Sequence, residues 1–224
     1  MSPRLRGEKQ LDLSRAHPLP RSFYNRDPRQ VGPDLLGKIL LRRIRSRGKE
    51  IVLAGRIVED EAYLGLDDAA AHAAAGKTSR NAVLFGPPGH AYVYFIYGNH
   101  YCLNVSCLPE GNAGCVLIRA LEPMAGEEHM ARARALDLKS GAKNLRLLTS
   151  GPGRLCEALS ITRPRDNGKD LTAHGSDLFI ASDGYLSNDI RSTPRIGITK
   201  AAEQPLRYVL AGNPFVSGRR VPST

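Results

Sequence analysis

Apolar residues along this chain switch between two-residue and near-helical spacing, and the switches divide it into elements. Asp34–Leu41 reads as a short helix running into a strand that continues through Arg42–Arg45, and Ser46-Arg-Gly48 is a turn signal. Glu50–Glu61 alternates around Ile51, Leu53, Ile57 and Val58, which makes it the second strand of a hairpin. Ala69–Ala75 is alanine-rich and predicts a helix ended by Gly76. Thr78-Ser-Arg-Asn81 supplies N-cap chemistry for another short helix before the Gly86-Pro-Pro-Gly89 loop. Three strands follow at Ala91–Tyr97, Cys102–Cys107 and Cys115–Ala120, with Tyr97-Gly-Asn-His100 as the tip of the hairpin between the first two. Met124–Leu138 has helical spacing, Ser150-Gly-Pro-Gly153 opens a helix over Arg154–Leu159, and strands return near 178–181, 195–198 and 206–210.

Residues 1–20 lack apolar periodicity and carry Pro3, Pro18 and Pro20 among Arg4, Arg6, Lys9 and Arg15, so a flexible basic N-terminal arm is expected there. No repeat or linker divides the rest, and residues 21–219 are expected to form one domain. Helices and hairpins without regular β-α-β alternation predict an α+β fold: a curved, mainly antiparallel sheet with surrounding helices and a protruding β-hairpin.

Composition narrows the function. At 224 residues with 42% hydrophobic side chains the chain is long enough to bury a core. Its apolar runs fall far short of the ~18–20 residues a membrane-spanning helix needs, so no membrane is expected. Met1–Arg15 has no apolar h-region, which argues against secretion. The net charge of +10 and a pI near 9.7 are the electrostatic footprint of a nucleic-acid binder. Cys102, Cys107, Cys115 and Cys156 form no C-x-x-C pair and have no His at zinc spacing. They read as small buried hydrophobes in a reducing compartment, and no metal or other cofactor is expected.

Candidate chemistry gathers in a few places. Glu59, Asp60 and Glu61 end a strand, and alternation sends Glu59 and Glu61 one way and Asp60 the other. A carboxylate held beside apolar neighbours can serve as a general base, whereas strand-end acids in general are solvated. Tyr63 shares the face of Glu61; His72 stands in little polar company. Five of the 8 tyrosines are Tyr63, Tyr92, Tyr94, Tyr97 and Tyr101, and an aromatic at a hairpin tip suits stacking on or wedging between bases better than core packing. Asn104, inside an apolar strand, is a structural amide or reads a ligand. Arg119 ends another such strand and needs an anion, for which Glu61 is a candidate. Ser150-Gly-Pro-Gly-Arg154 is a helix start or a phosphate site, and it lacks the P-loop pattern. A metal-dependent hydrolase using His72, His90 or His100 with Asp67 or Asp68 has no supporting ligand spacing.

Taken together, Ile57-Val-Glu-Asp-Glu-Ala-Tyr-Leu-Gly65, His72 and Arg80-Asn81 resemble the alkyladenine (3-methyladenine) DNA glycosylase family. So do the segments Gly86–Gly98, Cys102-Leu-Asn104, Val116–Pro123, Ser150-Gly-Pro152, Pro205–Tyr208 and Asn213–Ser217, in order and with compatible spacing. The resemblance implies that 21–219 is a glycosylase domain, working as a monomer on double-stranded DNA that contains damaged purines, wherever genomic DNA is held (cytoplasm, nucleoid or nucleus). It implies that Glu61 activates water and that Arg119 holds Glu61. Tyr63, Tyr94 and His72 would surround a flipped base, and Asn104 would discourage guanine. Tyr97, Gly98 and Asn99 would meet the minor groove, Asn99 standing where the family more often has an apolar residue. The alternative is a non-catalytic nucleic-acid-binding module, against which the retention of Glu61 and Arg119 argues.

Overall fold

A computed structural model describes residues 12–46, 48–96, 98, 100–218 and 221–223. The chain enters through α1 (Arg21–Tyr24) and α2 (Pro28–Leu35), then forms β1 (Ile39–Ser46) and β2 (Lys49–Tyr63). After two 3-10 turns come β3 (Ala91–Ile96), β4 (His100–Ser106) and β5 (Cys115–Ala125). Four short helices follow: α3 (Glu127–Ala133), α4 (Ala142–Leu147), α5 (Pro152–Ala158) and α6 (Arg163–Asp166). The chain closes with β6 (Leu178–Ala181), β7 (Ile190–Thr193) and β8 (Arg207–Leu210). The result is an α+β domain on a strongly curled sheet whose strand pairs are all antiparallel.

The strand order is β3-β4-β5-β2-β1-β6, with β8 pairing both β2 and β7. β2 is the spine. One edge pairs with β5 from Ala54 to Tyr63; the other pairs with β1 up to Arg56 and with β8 over Glu59–Glu61. The acidic triplet therefore lies between two strands, and all three residues are fully buried. Strand-end solvation does not describe them.

The register between β2 and β5 is irregular there. Glu59 faces Ala120 and Asp60 faces Ile118, so Arg119 is the residue that the pairing skips. A bulge of this kind re-aims a side chain, and it turns Arg119 onto the carboxylates.

Helix starts follow local chemistry. Asp27 caps α2 by accepting from the Arg29 amide at 2.8 Å, and Pro28 occupies the first turn, where its missing N–H is harmless. The main core includes Tyr24, Val31 and Leu35 from the first helices, Ile57 and Val58 from β2, and Leu155 and Cys156 from α5. The four cysteines are free and buried. Among the described residues no helix is long and apolar enough to cross a membrane.

Two expected elements are absent. Ala69–Ala75 forms successive tight turns rather than a helix. Asp68 accepts from the amides of Leu64 and Ala70, and the Asn81 amide donates to the carbonyls of His72 and Gly76, so side chains take up groups that a helix would pair internally. Residues 195–198 are irregular, the strand lying earlier as β7, because the Ile196 amide is spent on the Glu61 side chain. Of the expected arm over 1–20, residues 1–11 lie outside the described residues. In the remainder Ala16 is buried and Leu19 donates to the Ile180 carbonyl at 2.8 Å.

Candidate active site

A cavity of about 560 Å³ opens where β3, β4 and β5 face the loops after β2 and β7. Alternation places Tyr92 and Tyr94 of β3 and Cys102 and Asn104 of β4 on this face, and Tyr63, His72, Arg119 and Ile196 complete the wall. The wall is held by a small apolar cluster including Ala73, Leu84, Phe85, Tyr92 and Cys115. Gly65, at a φ of +86°, lets the chain turn under the pocket: a Cβ there would stand 1.6 Å from the Ala113 carbonyl oxygen.

The His72 ring packs edge to face on both tyrosines of β3, which are tilted 34° to each other. His72 meets Tyr94 with centroids 4.5 Å apart, and Tyr92 lies 5.5 Å from Tyr94. Nδ1 of His72 is 2.9 Å from the Tyr92 hydroxyl. Burial, and then the nearby Arg80 cation, holds the imidazole pKa below its ordinary value. Burial pushes Tyr92 up to about 12 and Cys115 up to about 12, so both keep their protons at neutral pH. The amide of Asn104 is pinned at both ends: Nδ2 donates to the Tyr92 carbonyl at 3.1 Å, and Oδ1 accepts from the Cys115 thiol at 3.7 Å.

Glu61 lies behind this wall with no exposed surface. Its Oε1 accepts from the Ile196 amide at 2.7 Å and pairs with Nη1 of Arg119 at 3.2 Å. Its Oε2 accepts from the Tyr63 hydroxyl at 2.9 Å. A carboxylate has about four acceptor directions, so Oε2 retains one for a further donor. Burial, and then Glu61 itself, raises the Tyr63 pKa, which keeps that hydroxyl a donor. Burial disfavours the charge on Arg119, but Glu61 and then Glu59 outweigh it and raise its pKa.

The structure therefore brings Glu61 and Arg119 together and sets Tyr63, His72, Tyr94 and Asn104 around one cavity. Tyr97 and Asn99 lie outside the described residues. Gly98 between them is exposed at a φ of +74°, with open space where a side chain would be. His90 is engaged with Arg21 and the Pro87 carbonyl, and Asp68 with Arg195. Among the described residues no three His, Cys, Asp or Glu side chains converge as a metal-holding group.

Sequence reasoning missed three partners. Glu59 accepts from Nε of Arg119, Nε of Arg207 and the Ser217 hydroxyl. Arg195 forms a buried two-point pair with Asp68 and lies 4.6 Å over the Tyr63 ring. Tyr92 supports His72. The shared strand face of Glu59 and Glu61 was the available signal for the first; nothing in the spacing announces the second.

Comparison with known proteins bears on this arrangement. Residues 22–214 match the family described as methylpurine-DNA glycosylase. A protein of Koribacter versatilis, named for 3-methyladenine DNA glycosylase, is 66% identical over 208 residues, covering 93% of this chain and 97% of the relative. Proteins of Methanocella arvoryzae and Burkholderia lata named for the same enzyme are each 46% identical, over 90% and 89% of this chain and 96% and 91% of their own lengths.

Proposed function

The chain belongs to the methylpurine-DNA glycosylase family and is a DNA glycosylase; from that premise we propose that it excises 3-methyladenine-type purines from duplex DNA by flipping the base out and attacking C1′ with a water activated by Glu61. The observation that carries this reading is the buried Glu61–Arg119 pair standing directly behind an aromatic cavity.

A base inside the duplex is out of reach, so it must be turned out of the stack, at a cost of a few kcal/mol. Tyr63 and Tyr94 supply aromatic faces for it. N3- or N7-alkylation makes a purine cationic, and a cation against such faces gains roughly 0.5–2 kcal/mol. The same charge makes the base a good leaving group. Asn104, pinned in the wall, crowds the position of the guanine amino group. As the resemblance implies, Tyr97, Gly98 and Asn99 would meet the minor groove.

For the water, the free acceptor direction of Oε2 takes the proton while Arg119 holds the carboxylate in place. No lysine lines the cavity among the described residues, so hydrolysis proceeds without a Schiff base and leaves an abasic site. The protein acts as a monomer where genomic DNA is held.

The test is release of free base from methylated duplex DNA, by the wild type and Glu61→Gln in parallel, with a chelator present. Release of 3-methyladenine by the wild type, and DNA binding without release by the variant, is the expected result. Equal release by both removes Glu61 from the reaction. Binding without release by the wild type on methylated, deaminated and etheno substrates leaves a nucleic-acid-binding module. A borohydride-trapped protein–DNA adduct contradicts the absence of a lyase step.

A further inference from the structure

We propose that Glu59 is a positioning residue for this reaction, holding Nε of Arg119 so that the guanidinium does not take Glu61 with two parallel hydrogen bonds. The inference rests on the roles of Glu61 and Arg119 proposed above.

Glu59 is fully buried. Its Oε1 accepts from Nε of Arg119 at 2.9 Å, Nε of Arg207 at 2.8 Å and the Ser217 hydroxyl at 2.9 Å, and its Oε2 accepts from the Ser217 amide at 2.5 Å. Arg207 in turn donates to the Ser217 carbonyl at 3.1 Å. The C-terminal segment and β8 thus clasp the carboxylate that clasps Arg119.

An arginine left with one carboxylate tends to take it with two parallel N–H bonds. Here Nε donates to Glu59, and the closest approach of Arg119 to Glu61 is Nη1 to Oε1 at 3.2 Å, an ion pair rather than a two-point hydrogen-bonded fork. A two-point pair would occupy the acceptor direction that the water needs. Charge points the same way. Glu59 and Glu61 face Arg119 and Arg207, two negative groups against two positive. Neutralising Glu59 leaves two cations to one carboxylate, which favours ionised Glu61 and makes it a weaker base. The other charged or titratable groups around Glu61 are Tyr63 and Asp60 on its own strand, Cys102 from β4 and Arg195 from the loop after β7.

The test is a pH series of single-turnover base release at saturating enzyme, with abasic-DNA affinity measured beside it, for Glu59→Gln, Arg207→Gln and Glu61→Gln. Glu59→Gln keeps the shape of the side chain. Its expected rate at neutral pH is lower by about tenfold to a hundredfold, as for a misplaced catalytic group. Its DNA affinity should stay within about twofold, because no DNA-facing group changes. The acidic limb of its profile should move to lower pH. Arg207→Gln removes a cation and should move that limb to higher pH, so the pair of opposite shifts separates positioning from general loss of structure. A wild-type rate and profile for Glu59→Gln overturns the inference. So does a parallel fall of rate and affinity with the limb in place, or limbs that move the same way in both variants. Should Glu59→Gln fail to fold, the direction of the Arg207→Gln limb decides alone. Glu61→Gln keeps the two ideas apart. If it releases base normally, the reading of the site fails; if it is inactive while Glu59→Gln behaves as wild type, only the role of Glu59 fails.

Discussion

The hydroxyl of Tyr92 lies 2.9 Å from Nδ1 of His72, twenty positions earlier in the chain. Tyr92 keeps its proton, its pKa pushed up to about 12 chiefly by burial. The nearby positive charge of Arg80 partly offsets that burial at Tyr92 and disfavours a second cation on His72. With the phenol protonated and the pKa of His72 lowered, the expected arrangement has the phenolic proton on the Nδ1 side. In that tautomer the imidazole proton sits on Nε2 of a ring that lines the cavity.

Such a donor suits a base edge that presents an acceptor at position 6, as hypoxanthine does, and opposes one that presents an amino group. Tyr92→Phe frees the tautomer. Its expected effect is a fall in hypoxanthine release relative to 3-methyladenine release of roughly threefold to tenfold, the worth of one neutral hydrogen bond. Competition assays with both lesions in one duplex length read this ratio; an unchanged ratio removes His72 from lesion choice.

Asp68→Asn tests the support beneath Glu61. Asp68 and Arg195 pair at 2.5 and 2.9 Å with both side chains buried, and Arg195 immediately precedes the Ile196 amide that binds Glu61. Removing one partner of a buried pair strands the other charge and costs about 3–5 kcal/mol. For a chain of this size that is a Tm lower by roughly 6–20 °C. Burial opposes the Asp68 charge, but Arg195 and the amides of Leu64 and Ala70 outweigh it and hold its pKa below the usual value. The folded pKa lies below the unfolded one, so the stability is present above the unfolded value and lost as pH falls through the folded one. The Tm gap between wild type and variant should therefore close on acidification, which calorimetry across pH reads directly.

How much of this was legible beforehand depends on how far apart in sequence the partners stand. Leu178–Ala181 forms the expected strand, and the hairpin of β1 and β2 follows from alternation and one turn signal. Glu61, Tyr63, Tyr94 and Asn104 were readable because each stands in an apolar strand, where a polar group is conspicuous. The clasp on Glu59 was not readable: it needs β8 to pair with β2, bringing Arg207 to a residue 148 positions away. Nor was the bulge that turns Arg119 inward, since strand alternation assumes an unbroken register. The alanine run at 69–75 misled because propensity is a weak prior beside the side-chain bonds of Asp68 and Asn81.

DNA binding should weaken steeply with salt. The net charge of +10 supplies the cations, and each phosphate neutralised contributes a slope of about −0.9 in log K against log salt. A footprint on the order of five phosphates then loses roughly 500-fold in affinity for a fourfold rise in salt. Fluorescence titration of a lesion-bearing duplex at several salt concentrations gives the slope; a flat line contradicts a phosphate-dominated interface.

Asp60 offers a prediction about stability rather than chemistry. It points away from Glu59 and Glu61 along the same strand, fully buried, and among the described residues neither of its oxygens has a hydrogen-bond partner. Gly32 of α2 closes over it: a Cβ there would lie 3.1 Å from Oδ1 and 2.8 Å from the Tyr208 ring. Burial, and then the charges of Glu59 and Glu61, raise its pKa well above the ordinary value, so the folded state holds a proton that the unfolded chain releases. The sign follows: stability is fully present below the unfolded pKa of ~3.9 and falls as pH rises toward the folded value, by up to about 1.4 kcal/mol per unit. Asp60→Asn cannot ionise and removes that slope. Its Tm relative to wild type should therefore climb as pH rises above the unfolded value, until the folded carboxyl itself ionises. A Tm difference that stays constant over that range means that Asp60 is ionised in the folded state.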